Sequence, residues 1–293
     1  MIAAEQDAAP STVGTALAEA VERLAAAGVA EARANAEVLL AHVLGTTRTG
    51  LVLAARRALG SSAALRYESL VARAAAHEPV HYLVGEREFW SMALAVDPRV
   101  LIPRPVTELL VETALRVAPR ARRICDIGTG SGAIAAALAR ERPEAAVWAS
   151  DCDPSALAVA RANLAQHAPR VALVCGDLVS AFRSRAFDLV VANLPYVSDA
   201  ELPTLAPEVR DHEPRLALSG GTDGLAVLRR LVSAVPAALA PGGWLVVECG
   251  SGQAPRVREA LAAGGCFAEP VVVRDGDGIE RVMAAEARSG RME

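Results

Sequence analysis

From residue 123 onward, short apolar runs rich in β-branched residues alternate with longer segments of helical period, and this alternation leaves few folds open. The runs fall at 124–127, 147–150, 171–175, 189–192, 244–248 and 271–274, with a last one near 280–283. Between them the 3.6-residue spacing of apolar positions predicts helices over 133–140, 154–167, 224–239 and 253–263. A strand-helix-strand rhythm of this kind builds an α/β domain, a doubly wound, mostly parallel sheet with helices on both faces. Right-handed crossovers then bring the carboxyl ends of the strands to one edge, the edge at which such sheets bind ligands.

The first part of the chain reads differently. Residues 11–76 carry only helical spacing. Ser11 or Thr12 can cap a helix whose Leu17, Val21 and Leu24 share a face before Gly28 ends it. A second helix over 31–44 turns Val38, Leu39, Val43 and Leu44 inward, and a third covers 61–76. Pro79 and Gly85 interrupt this pattern, and Phe89-Trp90 brings in rare aromatics, so the boundary is set between a helical-bundle domain, 1–85, and the α/β domain, 86–293. A short strand pair near 88–89 and 93–96 and a helix over 106–117 lead into the alternating region.

The length of 293 residues suits one large domain and a small one. Hydrophobic residues make up 53% of the chain but aromatics only 3%, so the core is built from Ala, Val and Leu. A net charge of -4 argues against a broad grip on phosphate backbones, and nucleic acid is not the expected partner. The five cysteines form no C-x-x-C pair and four lie in or beside apolar runs, which predicts buried, reduced thiols. Without clustered His and Cys, no metal is expected. The start MIAAEQDAAP lacks the basic residues of a secretory signal, and no apolar run approaches the ~18 residues of a membrane span, so a cytoplasmic location is expected.

The chemistry sits at the predicted strand ends. In Cys125-Asp126-Ile127-Gly128-Thr129-Gly130-Ser131-Gly132, glycines at alternate positions let the backbone turn sharply and approach a ligand with no Cβ in the way. A dinucleotide site has the spacing G-x-G-x-x-G and aims a helix end at pyrophosphate. Here the spacing is G-x-G-x-G after an acid, which suits the ammonium and carboxylate of S-adenosylmethionine. Asp151, at the end of the second run, is placed to accept both ribose hydroxyls. Asp177 and the backbone N–H of Leu178, after the third, can read an adenine edge. Each acid alone would pass for a solvated strand end; three in succession point to a cofactor.

The fourth run leads into Asn193-Leu194-Pro195-Tyr196. An Asn/Pro turn closing a strand would look the same. The functional reading rests on acceptors. A planar amide or aniline-like nitrogen is a poor nucleophile because its lone pair is delocalised. If the Asn193 side-chain oxygen and the Leu194 carbonyl accept its two N–H groups, the lone pair turns toward the methyl donor, and Tyr196 would wall the pocket and stack on the flat group. Positioning then matters more than a strong base.

DIGTGSG followed by an Asn-x-Pro-Tyr tetrapeptide resembles the N-type class I methyltransferases. The segments EPVHYLVGEREFW (78–90), LIPRPVTE (101–108), His212-Glu213-Pro214 and DGDGIERV (275–282) are similar to those of the release factor glutamine N5-methyltransferases, PrmC/HemK. The resemblance implies a seven-stranded methyltransferase sheet, S-adenosylmethionine as cofactor, and the glutamine of a Gly-Gly-Gln loop in peptide chain release factors as acceptor. It puts Asp126, Gly128 to Gly132, Asp151, Asp177, Leu178 and Asn193 around the cofactor, and Asn193 to Tyr196 around the glutamine, with Arg104 and Glu108 as further substrate contacts. Two positions depart from the family pattern. Leu194 stands where the family usually has Pro, but the group required there is a backbone carbonyl. Val106 replaces the Asp of R-P-D-T-E, which removes a carboxylate near the site entrance.

Two other functions compete. The tetrapeptide also resembles that of rRNA adenine dimethylases, so adenine N6 of RNA or DNA is the alternative acceptor; the acidic balance and the LIPRP and EREFW segments favour protein. A cofactor-binding module without catalysis would predict damage to the acceptor pair, yet Asn193, Pro195 and Tyr196 are all present.

Overall fold

The computed structural model describes residues 11–288, which fall into two compact units divided between Gly85 and Glu86. The first is helical: α1 (Val13–Ala26), α2 (Ala32–Leu44), α3 (Arg48–Ala54), α4 (Ser61–Ala75) and α5 (Val80–Val84). Thr12 caps α1 by accepting the Thr15 N–H, and Gly45 ends α2 in the left-handed conformation. Leu24, Leu39, Leu40 and Val71 form the core of this unit, and the buried Tyr67 hydroxyl donates to the Ala36 carbonyl at 3.0 Å. Two of its helices, α3 and α5, are too short for periodicity to reveal. Pro79 and Gly85, read as interruptions, instead bound α5: Pro79 precedes its first turn and Gly85, at φ 79°, closes it.

The second unit opens with the hairpin β1 (Glu86–Phe89) and β2 (Met92–Ala95), whose two-residue turn Trp90-Ser91 has positive φ at both positions. A 3-10 turn at Pro105–Thr107 leads into α6 (Glu108–Val117). Then follow β3 (Arg123–Ile127), α7 (Ala133–Glu141), β4 (Ala146–Asp151), α8 (Pro154–His167), β5 (Ala172–Cys175) and β6 (Phe187–Ala192). After β6 come the short α9 (Pro207–Arg210) and α10 (Arg215–Leu218), then α11 (Ala226–Ala238), β7 (Leu239–Glu248), α12 (Ala254–Ala263), β8 (Val271–Arg274) and β9 (Glu280–Glu286).

The seven strands from β3 onward form one sheet in the order β5-β4-β3-β6-β7-β9-β8. Pairing is parallel from β5 to β7, while β9 runs antiparallel to both β7 and β8. Strand parity divides the core into two layers. Leu189 and Val191 face Leu110, Ala114, Leu138 and Leu164 of α6 to α8; Val190 and Ala192 face Leu228, Leu231 and Val257 of α11 and α12. Strand order reverses at β3, with β4 on one side and β6 on the other, so a crevice opens above their carboxyl ends.

The cysteine expectation needs correction. Cys125 and Cys249 are buried, but Cys152 and Cys175 are exposed and Cys266 is half-buried, all as free thiols. Cys175 ends the edge strand β5 and Cys152 follows β4, both at the open carboxyl end of the sheet.

Candidate active site

The turn after β3 folds back on β4 through its own backbone. The N–H groups of Gly128 and Thr129 both donate to the Ser150 carbonyl, at 2.8 and 2.9 Å, and the Gly130 N–H donates to Asp151 Oδ2 at 2.9 Å. Asp151 Oδ1 meanwhile accepts the Asp153 N–H at 3.0 Å, so the carboxylate is fixed from both sides while still lining the crevice. Gly128 takes φ +72°, and a Cβ there would stand 3.1 Å from Leu194 Cδ2, which explains the glycine.

These elements enclose a cavity of about 210 Å³. Gly128, Thr129, Gly130 and Ser131 line it from β3, Asp151 from β4, Asp177 and Leu178 from β5, and Asn193, Leu194 and Pro195 from β6, with Arg104 on another side. Asp177 is largely exposed and ion-paired with Arg230; Leu178 holds positive φ, 51°.

Four expected site residues lie elsewhere. Asp126 is fully buried beneath the turn, where its Oδ2 accepts the Thr129 hydroxyl at 2.6 Å and the Ala135 N–H at 3.1 Å. It braces the loop from behind and does not face the cavity; burial pushes its carboxyl up to about 7. Gly132, at φ +83°, packs its backbone on Ala160 and Leu164 of α8, again outside the lining. Glu108 is drawn to the hairpin, accepting the Trp90 N–H at 2.7 Å. Tyr196 turns away after Pro195: its carbonyl accepts Gln253 Nε2 at 2.8 Å and its hydroxyl is 3.5 Å from Glu248 Oε1. Burial and the Glu248 charge push that phenol up to about 12.

The tetrapeptide's first two residues both line the cavity. Asn193 Nδ2 donates to Thr107 Oγ1 at 3.1 Å, and among the described residues neither Asn193 Oδ1 nor the Leu194 carbonyl receives a hydrogen bond.

Several supporting residues escaped the sequence reading. Glu213, with its side chain 1% exposed, pairs with Arg104 Nη2 at 2.5 Å and ties the 101–107 segment to the loop after β6. Burial raises the Glu213 carboxyl and the Arg104 guanidinium opposes the rise. Asn163 of α8 donates to the Ser131 carbonyl at 2.9 Å and pairs with both backbone groups of Ala95, joining the glycine turn to β2. Glu213 was visible as part of a motif, but its partner lies 109 residues away; nothing local marks Asn163.

Two family models match the chain, the PrmC N-terminal domain over residues 15–85 and the methyltransferase small domain over 105–209. The release factor glutamine methyltransferase of Geobacter sulfurreducens is 45% identical over 260 residues, 89% of this chain and 91% of that protein. This chain belongs to the release factor glutamine methyltransferase family. The enzyme of the same name from Moorella thermoacetica is 43% identical over 94% of this chain and 99% of its own length. Solved structures share the fold over about two thirds of the chain: a methyltransferase from Pyrococcus furiosus (TM-score 0.51, 18% identity, 67% of this chain and 88% of that one) and the hMettl16 catalytic domain in complex with the MAT2A 3'UTR hairpin 6 (TM-score 0.56, 15% identity, 69% and 77%). This family member is an S-adenosylmethionine-dependent methyltransferase, and the crevice fits that cofactor: a backbone-lined glycine turn faces a strand-end carboxylate and contains no bulky side chain. No helix among the described residues is long and apolar enough to cross a membrane, and no group of three or more His, Cys, Asp or Glu is arranged to hold a metal ion.

Proposed function

We propose that this enzyme methylates the side-chain amide nitrogen, N5, of the glutamine in the Gly-Gly-Gln motif of peptide chain release factors, in the cytoplasm. The observation that carries the reading is the acceptor pair at the cavity wall: Asn193 Oδ1 and the Leu194 carbonyl receive no bond from the described residues, while Thr107 holds the Asn193 NH₂. S-adenosylmethionine, when bound, supplies an electrophilic methyl group on a sulfonium sulfur. The Gly128 to Ser131 backbone and Asp151 bind it, Asp151 by accepting its ribose hydroxyls, with Asp177 and the Leu178 N–H at the adenine edge. Asn193 and Leu194 accept the two amide N–H groups of the target and so aim the nitrogen lone pair. Transfer would form the nitrogen–methyl bond as the methyl–sulfur bond breaks, leaving S-adenosylhomocysteine, and the proton shed by the nitrogen passes to solvent, which gives N5-methylglutamine. The acceptor pair orients the nucleophile with little need for a strong base.

A glutamine on a glycine-rich loop offers little to hold, so affinity must come from outside the pocket. The N-terminal unit is the proposed docking surface, and it exposes Val52 by 75%, Leu53 by 87% and Leu65 by 73%. A contact of standard size, about 1,600 Å² in total, gives an affinity that a short peptide lacks. The test is incorporation of labelled methyl into an intact release factor, its Gln→Ala variant, an isolated Gly-Gly-Gln peptide, ribosomal RNA and DNA under the same conditions. Strong labelling of the intact factor alone is expected. Label in adenine and not in the factor overturns the assignment.

A further inference from the structure

The Leu194 carbonyl belongs to the one kind of peptide that cannot be held through its own N–H. The Leu194–Pro195 amide carries no hydrogen on nitrogen, and its oxygen is kept for the substrate, so its direction is set by the groups on either side. Upstream, Thr107 holds the Asn193 amide at 3.1 Å. Downstream, the Pro195 ring locks φ, and the next peptide plane, Tyr196–Val197, is held at both edges. Its carbonyl accepts Gln253 Nε2 at 2.8 Å, and its N–H donates to the Leu218 carbonyl at 3.0 Å. A plane gripped at both edges does not swing, and few torsions separate it from the Leu194 carbonyl.

The fold places Gln253 for this task. Strands β6 and β7 are parallel neighbours, paired at Ala192 and Val247, so the chain leaves both at the same sheet edge. The tetrapeptide follows β6, and the turn that follows β7 carries Gln253 just before α12. An amide side chain has a donor end and an acceptor end, and Gln253 uses both: Nε2 donates to Tyr196, and Oε1 accepts the Gly250 N–H at 2.9 Å. Two glycines leave it room. A Cβ at Gly224 would overlap the Tyr196 carbonyl oxygen and stand 2.6 Å from Gln253 Nε2, and one at Gly250 would stand 3.0 Å from Gln253 Oε1 and 3.1 Å from Tyr196 Cδ2. The exits of β6 and β7 and the turn at Gly224 therefore converge on one half-buried side chain, which is itself outside the cavity lining.

We propose that Gln253 is a positioning residue that fixes the exit of the tetrapeptide and so aims the Leu194 carbonyl at the acceptor nitrogen. It acts through the tetrapeptide backbone and does not touch the target amide. This deepens the proposed function and rests on the Leu194 carbonyl being an acceptor of the target N–H. A hydrogen bond that only joined two loops would affect folding alone. One that sets the direction of an acceptor affects the rate of transfer at constant cofactor affinity.

The test uses the full-length enzyme and an intact release factor at about pH 8. Gln253→Glu keeps the shape and still accepts the Gly250 N–H, but as a carboxylate it cannot donate to Tyr196. Gln253→Met keeps the length and makes neither bond. The first should lower kcat by about tenfold and the second by about fivefold, less than the roughly 10²–10³ lost with a group that contacts the reacting atoms. Kd for S-adenosylmethionine and KM for the release factor should stay within about twofold of the wild type. Thermal melts establish that each variant is folded at the assay temperature, and Gln253→Met decides if Gln253→Glu does not fold. A kcat within about twofold of the wild type in a folded variant overturns the proposal, whatever its melting temperature. So does a loss of rate matched by an equal loss of cofactor affinity. If the wild-type enzyme leaves the release factor unlabelled, the substrate reading fails separately, and the same variants are then compared on the acceptor that does take label.

Discussion

Removing the Asp151 carboxylate tests the cofactor side of the site where the structure makes the clearest demand. Both oxygens already accept a backbone N–H, Oδ2 from Gly130 at 2.9 Å and Oδ1 from Asp153 at 3.0 Å. Each retains a further lone pair, and the residue lines the cavity, so a ribose hydroxyl can be accepted without giving up either contact. Asp151→Ala therefore removes the ligand contact and also the anchor of Gly130. A hydrogen bond to a charged group contributes about 1.5–3 kcal/mol, and at about 1.4 kcal/mol per decade this predicts an affinity loss of roughly 10- to 150-fold. Calorimetric titration with S-adenosylmethionine and with its demethylated product reads the loss directly, and a thermal melt of each protein separates it from unfolding. An affinity within about twofold of the wild type, in a folded variant, would remove Asp151 from the cofactor site.

The buried Asp126 carboxyl gives a pH test. Its folded-state value is raised from 3.8 to about 7, so its contribution to stability is intact below pH 3.8 and is lost as pH rises to 7. Asp126→Asn escapes that loss and should gain on the wild type by up to roughly 4 kcal/mol between pH 4 and pH 8, at about 1.4 kcal/mol for each pH step of one; urea denaturation that shows the same difference at both ends of the range would refute the buried charge. Gly128→Ala should cost about 1–2 kcal/mol for its left-handed backbone and should also weaken cofactor binding and turnover, whereas Gly28→Ala, at φ +77° with open space around it, should lower stability alone. Equal kinetics in the two alanine variants would show that the contact between Gly128 and Leu194 carries no functional weight.

Most of the sheet was legible in the sequence because its central strands, β3, β6 and the second half of β7, are buried on both faces and therefore read as nearly continuous apolar runs. The expectation of 154–167 matches α8, whose start carries its own signals, an Asp153 cap and Pro154 at the first position. The short α3, α5, α9 and α10 were not legible, since four to seven residues give periodicity too little length. At the site, sequence order gave the strand ends that meet at the crevice but not the direction of each side chain. Asp126 looked like a ligand group because it adjoins the glycines, yet the buried Thr129 hydroxyl and the first turn of α7 claim it. Glu108 and Tyr196 were misplaced for the same reason: the groups that draw them, the Trp90 N–H and Glu248, lie 18 and 52 residues away.

The two departures from the family pattern have different physical weight. A residue at position 194 supplies its carbonyl whatever its side chain, but the Leu194 side chain also packs over the glycine turn, 6% exposed and within contact of Gly128. The glycine turn and the tetrapeptide therefore lie close together, so that a side chain added at 128 would press on Leu194. Such coupling suits an in-line transfer, in which donor and acceptor must meet to within a fraction of an ångström. Val106 is half-buried. It lies in the 3-10 turn whose next residue, Thr107, reaches Asn193, and whose preceding neighbour, Arg104, is already neutralised by Glu213. With that ion pair at 2.5 Å, the positive charge of Arg104 is balanced without a carboxylate at 106, and the neighbouring Thr107 to Asn193 link stays intact.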